Sequence, residues 1–277
     1  MASPRMCPHC RAFIDPKANV CEYCGHDVGK PFARRPESAV SSRGFLATAQ
    51  TTTAILLLLN FAIFSATLIL TYKVEGQMIG FGGVNSDVLL AFGAKFGPRI
   101  LRGGEWWRLV TAGFLHAGVF HILMNSWVLL DLGPRVEDIF GTPRFLVIYL
   151  VSSIFGFMAS MLWSPYTLSI GASAAACGLI GAMMAHARRS GNSVLWSAYL
   201  QWIILIAVIG FLPGFSIDNA AHFGGFAAGY GLAYLAGTPR IASPAESLWK
   251  AAAGFAVVIT AASFLLAYQF LSRALGT

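Results

Sequence analysis

What most restricts this chain is its series of long apolar stretches and the short polar segments between them. Seven can be marked, at about Leu46–Tyr72, Leu109–Leu132, Phe145–Trp163, Ile170–Ala187, Val194–Leu212, Asn219–Ala236 and Ala251–Leu271. Roughly 20 apolar residues in a helix cross the hydrocarbon of a bilayer, and lipid offers no partner to a backbone group left unpaired. Composition agrees: 56% of the residues are hydrophobic and 11% charged, where soluble domains carry about 25% charge. The expected fold class is an all-α polytopic membrane protein, six spans followed by a seventh. The net charge of +7 reports topology rather than an affinity for nucleic acid. Loops bearing Arg135/Arg144, Arg188/Arg189 and Arg240/Lys250 fall on the side of the N-terminus, while Ser164–Ser169 and Pro213–Asp218 carry no Lys or Arg. That distribution obeys the positive-inside rule.

Ahead of the spans lies a segment of another kind. Cys7-Pro-His-Cys10 and Cys21-Glu-Tyr-Cys24 are two CxxC pairs ten residues apart. Each pair aims two thiolates at one centre, and four make a closed tetrahedral zinc site. Too short to bury a core, such a segment would draw its folding energy from a structural Zn2+. His9 or His26 could replace a thiolate, but the cysteines suffice. A closed site implies docking or regulation, with a cytosolic partner not identified by the sequence, and no role in catalysis. Zinc–thiolate chemistry suits a reducing compartment, so the N-terminus is expected in the cytoplasm. No signal peptide is recognised before it. The expected division is a knuckle at 1–29, a polar linker at 30–45, a six-span core at 46–237, and a loop with the seventh span at 238–277.

The polar residues inside the spans point to chemistry, because buried ionisable groups in a bilayer are costly and functional by default. Span 2 holds His116, His121 and Asn125, span 4 opens with Ser173, and span 6 holds His222. Counted from the inner ends, Ser173 lies fifteen residues before Arg188, His222 fifteen before Gly237, and His121 sixteen before Glu137. At about 1.5 Å per residue, all three sit roughly 22–24 Å above the inner face. A serine in a membrane helix more often bonds back to a carbonyl. Here an imidazole at the same depth can take its proton, which makes Ser173 a nucleophile and His222 its base. No span places an Asp or Glu at this depth, so a dyad is expected. His121 and Asn125, four apart on one helical face, could donate to a developing oxyanion, with the Ser173 N–H as a further donor. His116 lies nearer the outer end, where it can anchor a loop. Gly225 and Gly229 on span 6, with Gly178 and Gly181 on span 4, allow the close approach that would bring Ser173 and His222 together.

These residues resemble the rhomboid intramembrane serine proteases over roughly residues 45–237. The resemblance rests on Trp107-Arg108, His116-AGVF-His121-ILM-Asn125, Leu132-Gly133 with Glu137 and Gly141, Gly171-Ala-Ser173, and Ala221-His222-Phe-Gly-Gly225 with Gly229. It implies a six-helix bundle, here with a seventh C-terminal helix. It also implies Ser173 as nucleophile, His222 as base, His121 and Asn125 in the oxyanion hole, and no cofactor for catalysis. The substrates implied are transmembrane proteins, cut near the outer leaflet through an acyl-enzyme. The host is expected to be the bacterial inner (cell) membrane. A silent relative that binds transmembrane helices as an adaptor or chaperone is the competing expectation. Two positions depart from the family pattern. Ala174 stands where glycine is usual, and Cys177 where an aromatic residue often lies under the histidine.

Overall fold

The computed structural model describes residues 5–7, 13–15, 18–25, 27–28, 51–212, 217–239 and 243–275. Cys10, His9, His26, the polar linker and the first residues of the first span lie outside them. The chain divides into two compact units, Met1–Gly44 and Phe45–Thr277.

In the first unit β1 (Arg5–Met6) pairs antiparallel with β2 (Phe13–Ile14), and Val20 forms a bridge to Asp27. Cys7 and Cys21 each follow directly on a paired residue, and with Ile14 and Val28 they form the buried centre. Gly25, at φ 69°, turns the chain after Cys24, and its N–H donates to the Cys21 carbonyl at 2.8 Å.

Among the described residues the second unit is built of helices joined by loops: α1 (Thr51–Glu75), α2 (Ser86–Ala91), α3 (Gly97–Leu101), α4 (Arg108–Thr111), α5 (Val119–Trp163), α6 (Ser173–Ser190), α7 (Ser193–Gly210), α8 (Asn219–Ala236) and α9 (Ala245–Leu275). This is an all-α polytopic membrane protein. Local signals set several ends. Asn192 caps α7 through the Leu195 N–H, Asp218 caps α8 through the Ala221 N–H, and Gly191, at φ 67°, closes α6 in the left-handed conformation that glycine tolerates.

One expectation about the spans is corrected. The second span begins at Val119, not Leu109: residues 108–111 form the separate α4, and a 3-10 turn covers Ala112–Phe114. The break falls where Leu115 turns extended (φ −89°, ψ 149°) and Arg108 is tied to the preceding loop. His116 therefore lies ahead of the helix. The second and third spans are the two helical arms of α5, separated by the non-helical Gly141 (φ 75°, ψ 156°), as their two separate apolar stretches lead one to expect.

α6, α8 and the second arm of α5 make the centre. Their backbones nearly touch: a Cβ on Gly225 would lie 2.1 Å from the Ala174 carbonyl oxygen, and one on Gly229 2.1 Å from that of Gly178. Small residues let helices approach this closely where lipid supplies no hydrophobic drive. Around this centre, α1, α7 and α9 turn broad apolar faces outward.

Candidate active site

Ser173 is the first residue of α6. Ala172 before it offers no side-chain cap, so the first-turn amides have no acceptor within the helix. The chain reaches Ser173 through Gly171, whose φ of 123° is accessible to glycine and strained for other residues. On the first turn of α8, His222 turns inward and is 8% exposed. The Ser173 Oγ and His222 Nε2 atoms are 2.8 Å apart, hydrogen-bond distance within an apolar bundle. Nδ1 of His222 is buried and meets no hydrogen-bond partner among the described residues.

His121 faces the same point from α5. Its Nδ1 accepts from the Ala117 N–H at 3.2 Å, which leaves the proton of a neutral ring on Nε2. A methyl on Gly171 would sit 2.8 Å from that Nε2 and 3.6 Å from Ser173 Oγ, so the N–H is directed at the turn carrying the serine. Asn125 donates its Nδ2 to the His121 carbonyl at 2.9 Å. It holds the helix here, with a second amide hydrogen remaining. His116 is fully buried and packs edge-on against His121, ring centroids 5.2 Å apart.

The two departures each have a local answer. Ala174 is accommodated by glycine across the interface: a Cβ on Gly156 would meet the Ala174 methyl at 2.7 Å. Cys177 is a fully buried small side chain.

Charges that sequence reasoning did not connect lie beside the pair. Asp218 accepts from the Ala221 N–H at 2.9 Å and from the hydroxyl of Ser160. Burial pushes this carboxyl up, but those bonds and the Lys95 charge outweigh it and hold it below the ordinary carboxylate range. Lys95 is itself wholly buried. Burial lowers its amine, with Asp218 opposing. Asp-Asn before an apolar run signals a helix cap, yet nothing in the sequence announces its partners. In the preceding loop Arg108 is fully buried, bonded to Glu105 (2.6 Å) and to the carbonyls of Leu90 (2.6 Å) and Ala94 (3.2 Å). The Trp107-Arg108 motif thus locks that loop.

In the first unit, the sulfurs of Cys7, Cys21 and Cys24 lie within 4.8 Å of one another. Cys7 Sγ and Cys24 Sγ are 3.7 Å apart, too far for a disulfide at about 2.05 Å. That separation fits an edge of a zinc–thiolate tetrahedron, about 3.8 Å for Zn–S of about 2.3 Å. Three thiols of this geometry could hold a metal.

A membrane-embedded helical bundle with a serine hydroxyl against an imidazole defines the class of protein. Residues 103–239 match the rhomboid domain family model, and through that domain the chain belongs to the rhomboid family. It is 38% identical over 173 residues to rhomboid protease GluP of Bacillus subtilis (strain 168), a match covering 61% of this chain and 34% of that one. It is 36% identical over 165 residues to the mitochondrial RHOMBOID-like protein 6 of Arabidopsis thaliana, covering 56% and 52%. To rhomboid-like protease 3 of Toxoplasma gondii it is 37% identical over 158 residues, covering 53% and 58%. The matches thus span between 34% and 58% of these relatives' lengths.

Proposed function

We propose that this chain is an intramembrane serine endopeptidase that cleaves transmembrane protein substrates near the outer leaflet of the bilayer. The observation that carries the reading is the 2.8 Å approach of Ser173 Oγ to His222 Nε2. The names of the Bacillus and Toxoplasma relatives, both proteases, support it. Ser173 Oγ attacks the scissile carbonyl as its proton passes to Nε2, and the imidazolium then gives that proton to the leaving amine. The resulting ester is hydrolysed by water, whose proton goes to Nε2 and returns to Ser173 Oγ. His121 Nε2–H, Asn125 and the Ser173 N–H are the donors to the oxyanion. Asp218 is engaged by Ser160 and the Ala221 amide, so the pair works as a dyad.

Labelling with a fluorophosphonate tests this, because an unactivated hydroxyl does not react. The wild type should label at Ser173, and Ser173→Ala or His222→Ala should abolish it. A folded, unlabelled wild type would replace the protease with an adaptor that binds transmembrane helices.

We read the organisation as a knuckle at 1–29, a linker at 30–45, the six-span core at 46–237, and the seventh helix with its loop at 238–277. In the knuckle Cys7, Cys10, Cys21 and Cys24 hold a structural Zn2+, supported by the clustering of three of the sulfurs. Purified protein should contain about one zinc per chain, lost in the Cys21→Ser/Cys24→Ser variant while labelling at Ser173 persists. Metal-free protein from a zinc-replete preparation would remove the assignment. We infer that the N-terminus, with any partner of the knuckle, lies on the cytoplasmic side of a bacterial inner membrane, a reading supported by the thiolates and the arginine-bearing loops. An N-terminal tag cleaved by protease added to intact cells would reverse that orientation.

A further inference from the structure

Lys95 and Asp218 are distant in sequence and converge beside Ser173 and His222. Lys95, between α2 and α3, donates its Nζ to the carbonyls of Ser164 at 2.9 Å and Thr167 at 3.0 Å. Its backbone exchanges two further bonds with Ser169, at 3.0 and 3.1 Å. It thereby grips the segment that leads, two residues on, into Gly171 and then Ser173. Asp218 grips the other half. Its side chain caps α8 and takes the hydroxyl of Ser160 on α5. One turn later the His222 N–H bonds to the Asp218 carbonyl at 3.1 Å. Ser169 is held to Lys95 through its backbone, and its hydroxyl helps to hold the Asp218 carboxyl below its ordinary range.

We propose that Lys95 and Asp218 are positioning residues for the Ser173–His222 pair, setting the start of α8 against the loop that delivers the serine. This rests on reading those two as nucleophile and base. Apolar helix ends can settle in several registers at similar energy. Buried opposite charges are compensated in one arrangement and costly in others, which suits them to fixing register. The demand is real, since a displacement of about 1 Å at reacting atoms costs roughly 100-fold in rate.

The test uses the full chain in detergent and the fluorophosphonate, with the maximal labelling rate (kinact) separated from probe affinity (KI). Labelling of the wild type and its loss in Ser173→Ala come first. Failure there strikes the protease reading itself and is seen before any positioning variant is made. Asp218→Asn is isosteric and keeps a good helix cap. It should lower kinact roughly 10-fold to 100-fold with KI unchanged, and Lys95→Met should do the same. Because the two act as one device, Asp218→Asn/Lys95→Met together should be no slower than the worse single variant. Wild-type kinact in Asp218→Asn, or losses that multiply in the double variant, overturn the proposal. Should either single variant fail to fold, Ser160→Ala decides, since it removes one hydrogen bond and keeps both charges. A lower kinact at constant KI supports the device, and an unchanged kinact rejects it.

Discussion

α6 and α8 meet backbone to backbone, with Gly229 against Gly178 and Gly225 against Ala174. α1 and α9, in contrast, stand apart, and with the second arm of α5 they border a half-open cleft of about 450 Å³ lined by residues such as Ile55, Leu59, Tyr149, Leu150, Ala256 and Phe264. By length and composition α1, α5, α7 and α9 are apolar enough to cross a membrane. The two helices carrying Ser173 and His222 fall short of that measure, because glycine, alanine, serine and histidine replace leucine and isoleucine. High hydropathy thus goes with outward faces in α1, α7 and α9, and small residues go with packing against protein in α6 and α8, while α5 is both apolar and 61% buried over its apolar window.

The largest effect expected from this contrast is at Gly229. Gly229→Ala adds one methyl, which would lie 2.1 Å from the Gly178 carbonyl oxygen and 2.5 Å from two further backbone atoms of Gly178. With only backbone opposite, no side chain can rotate away. The helices must separate, costing about 3 kcal/mol, and separation draws His222 from Ser173. Apparent Tm in detergent should fall by many degrees, with labelling lost. A variant as stable and as reactive as wild type would mean that the tight interface does not govern the site.

Much of this was legible. The bilayer permits few structures, so the seven stretches translate almost directly into helices, and counting from the inner ends brings Ser173 and His222 to the same depth. The start of α5 was not legible, because Leu109–Phe120 is apolar enough to continue a helix. What breaks the helix there is Leu115, extended at φ −89°, ψ 149°, while Arg108 at the start of α4 is tied to the carbonyls of Leu90 and Ala94. Nor were the buried ionic partners legible. Asp218 meets Ser160 across 58 positions and Arg144 meets Glu246 across 102, and no local pattern encodes such distances. Asn125 shows a finer limit: spacing put it on the His121 face, but its amide bonds the His121 carbonyl.

An intermediate effect is expected where α9 is fastened. Arg144, 3% exposed at its side chain, forms a two-pronged pair with Glu246 at 2.6 and 2.7 Å and lies over the Trp249 ring. Glu246→Gln removes one charge and leaves the buried guanidinium with a neutral acceptor. Glu246 is a quarter exposed, so water replaces part of what is lost. A destabilisation of about 1–2 kcal/mol follows, below the full penalty for breaking a wholly buried pair. Labelling at Ser173 should persist, because α9 lies outside the α6–α8 contact. If labelling fell as far as in Gly229→Ala, the division between an inner α6–α8 contact and an outer fastened helix would not hold.

The smallest effect is expected from the same chemical change made on the outer helix. Gly254 lies on an exposed face of α9, and a Cβ built there meets nothing within 4 Å. Gly254→Ala adds the methyl that Gly229→Ala adds, so the two variants differ only in surroundings. In a water-exposed helix the exchange stabilises by about 0.5–1 kcal/mol, since alanine has less conformational freedom to lose. In lipid the helical hydrogen bonds persist in either state, and the gain should lie at or below the low end of that range. Apparent Tm should rise by about 1–2 °C with the labelling rate unchanged. A fall in Tm, even a modest one, would show that this face of α9 is packed against something in the folded assembly, and would overturn its assignment as the loosely held, lipid-facing side of the molecule.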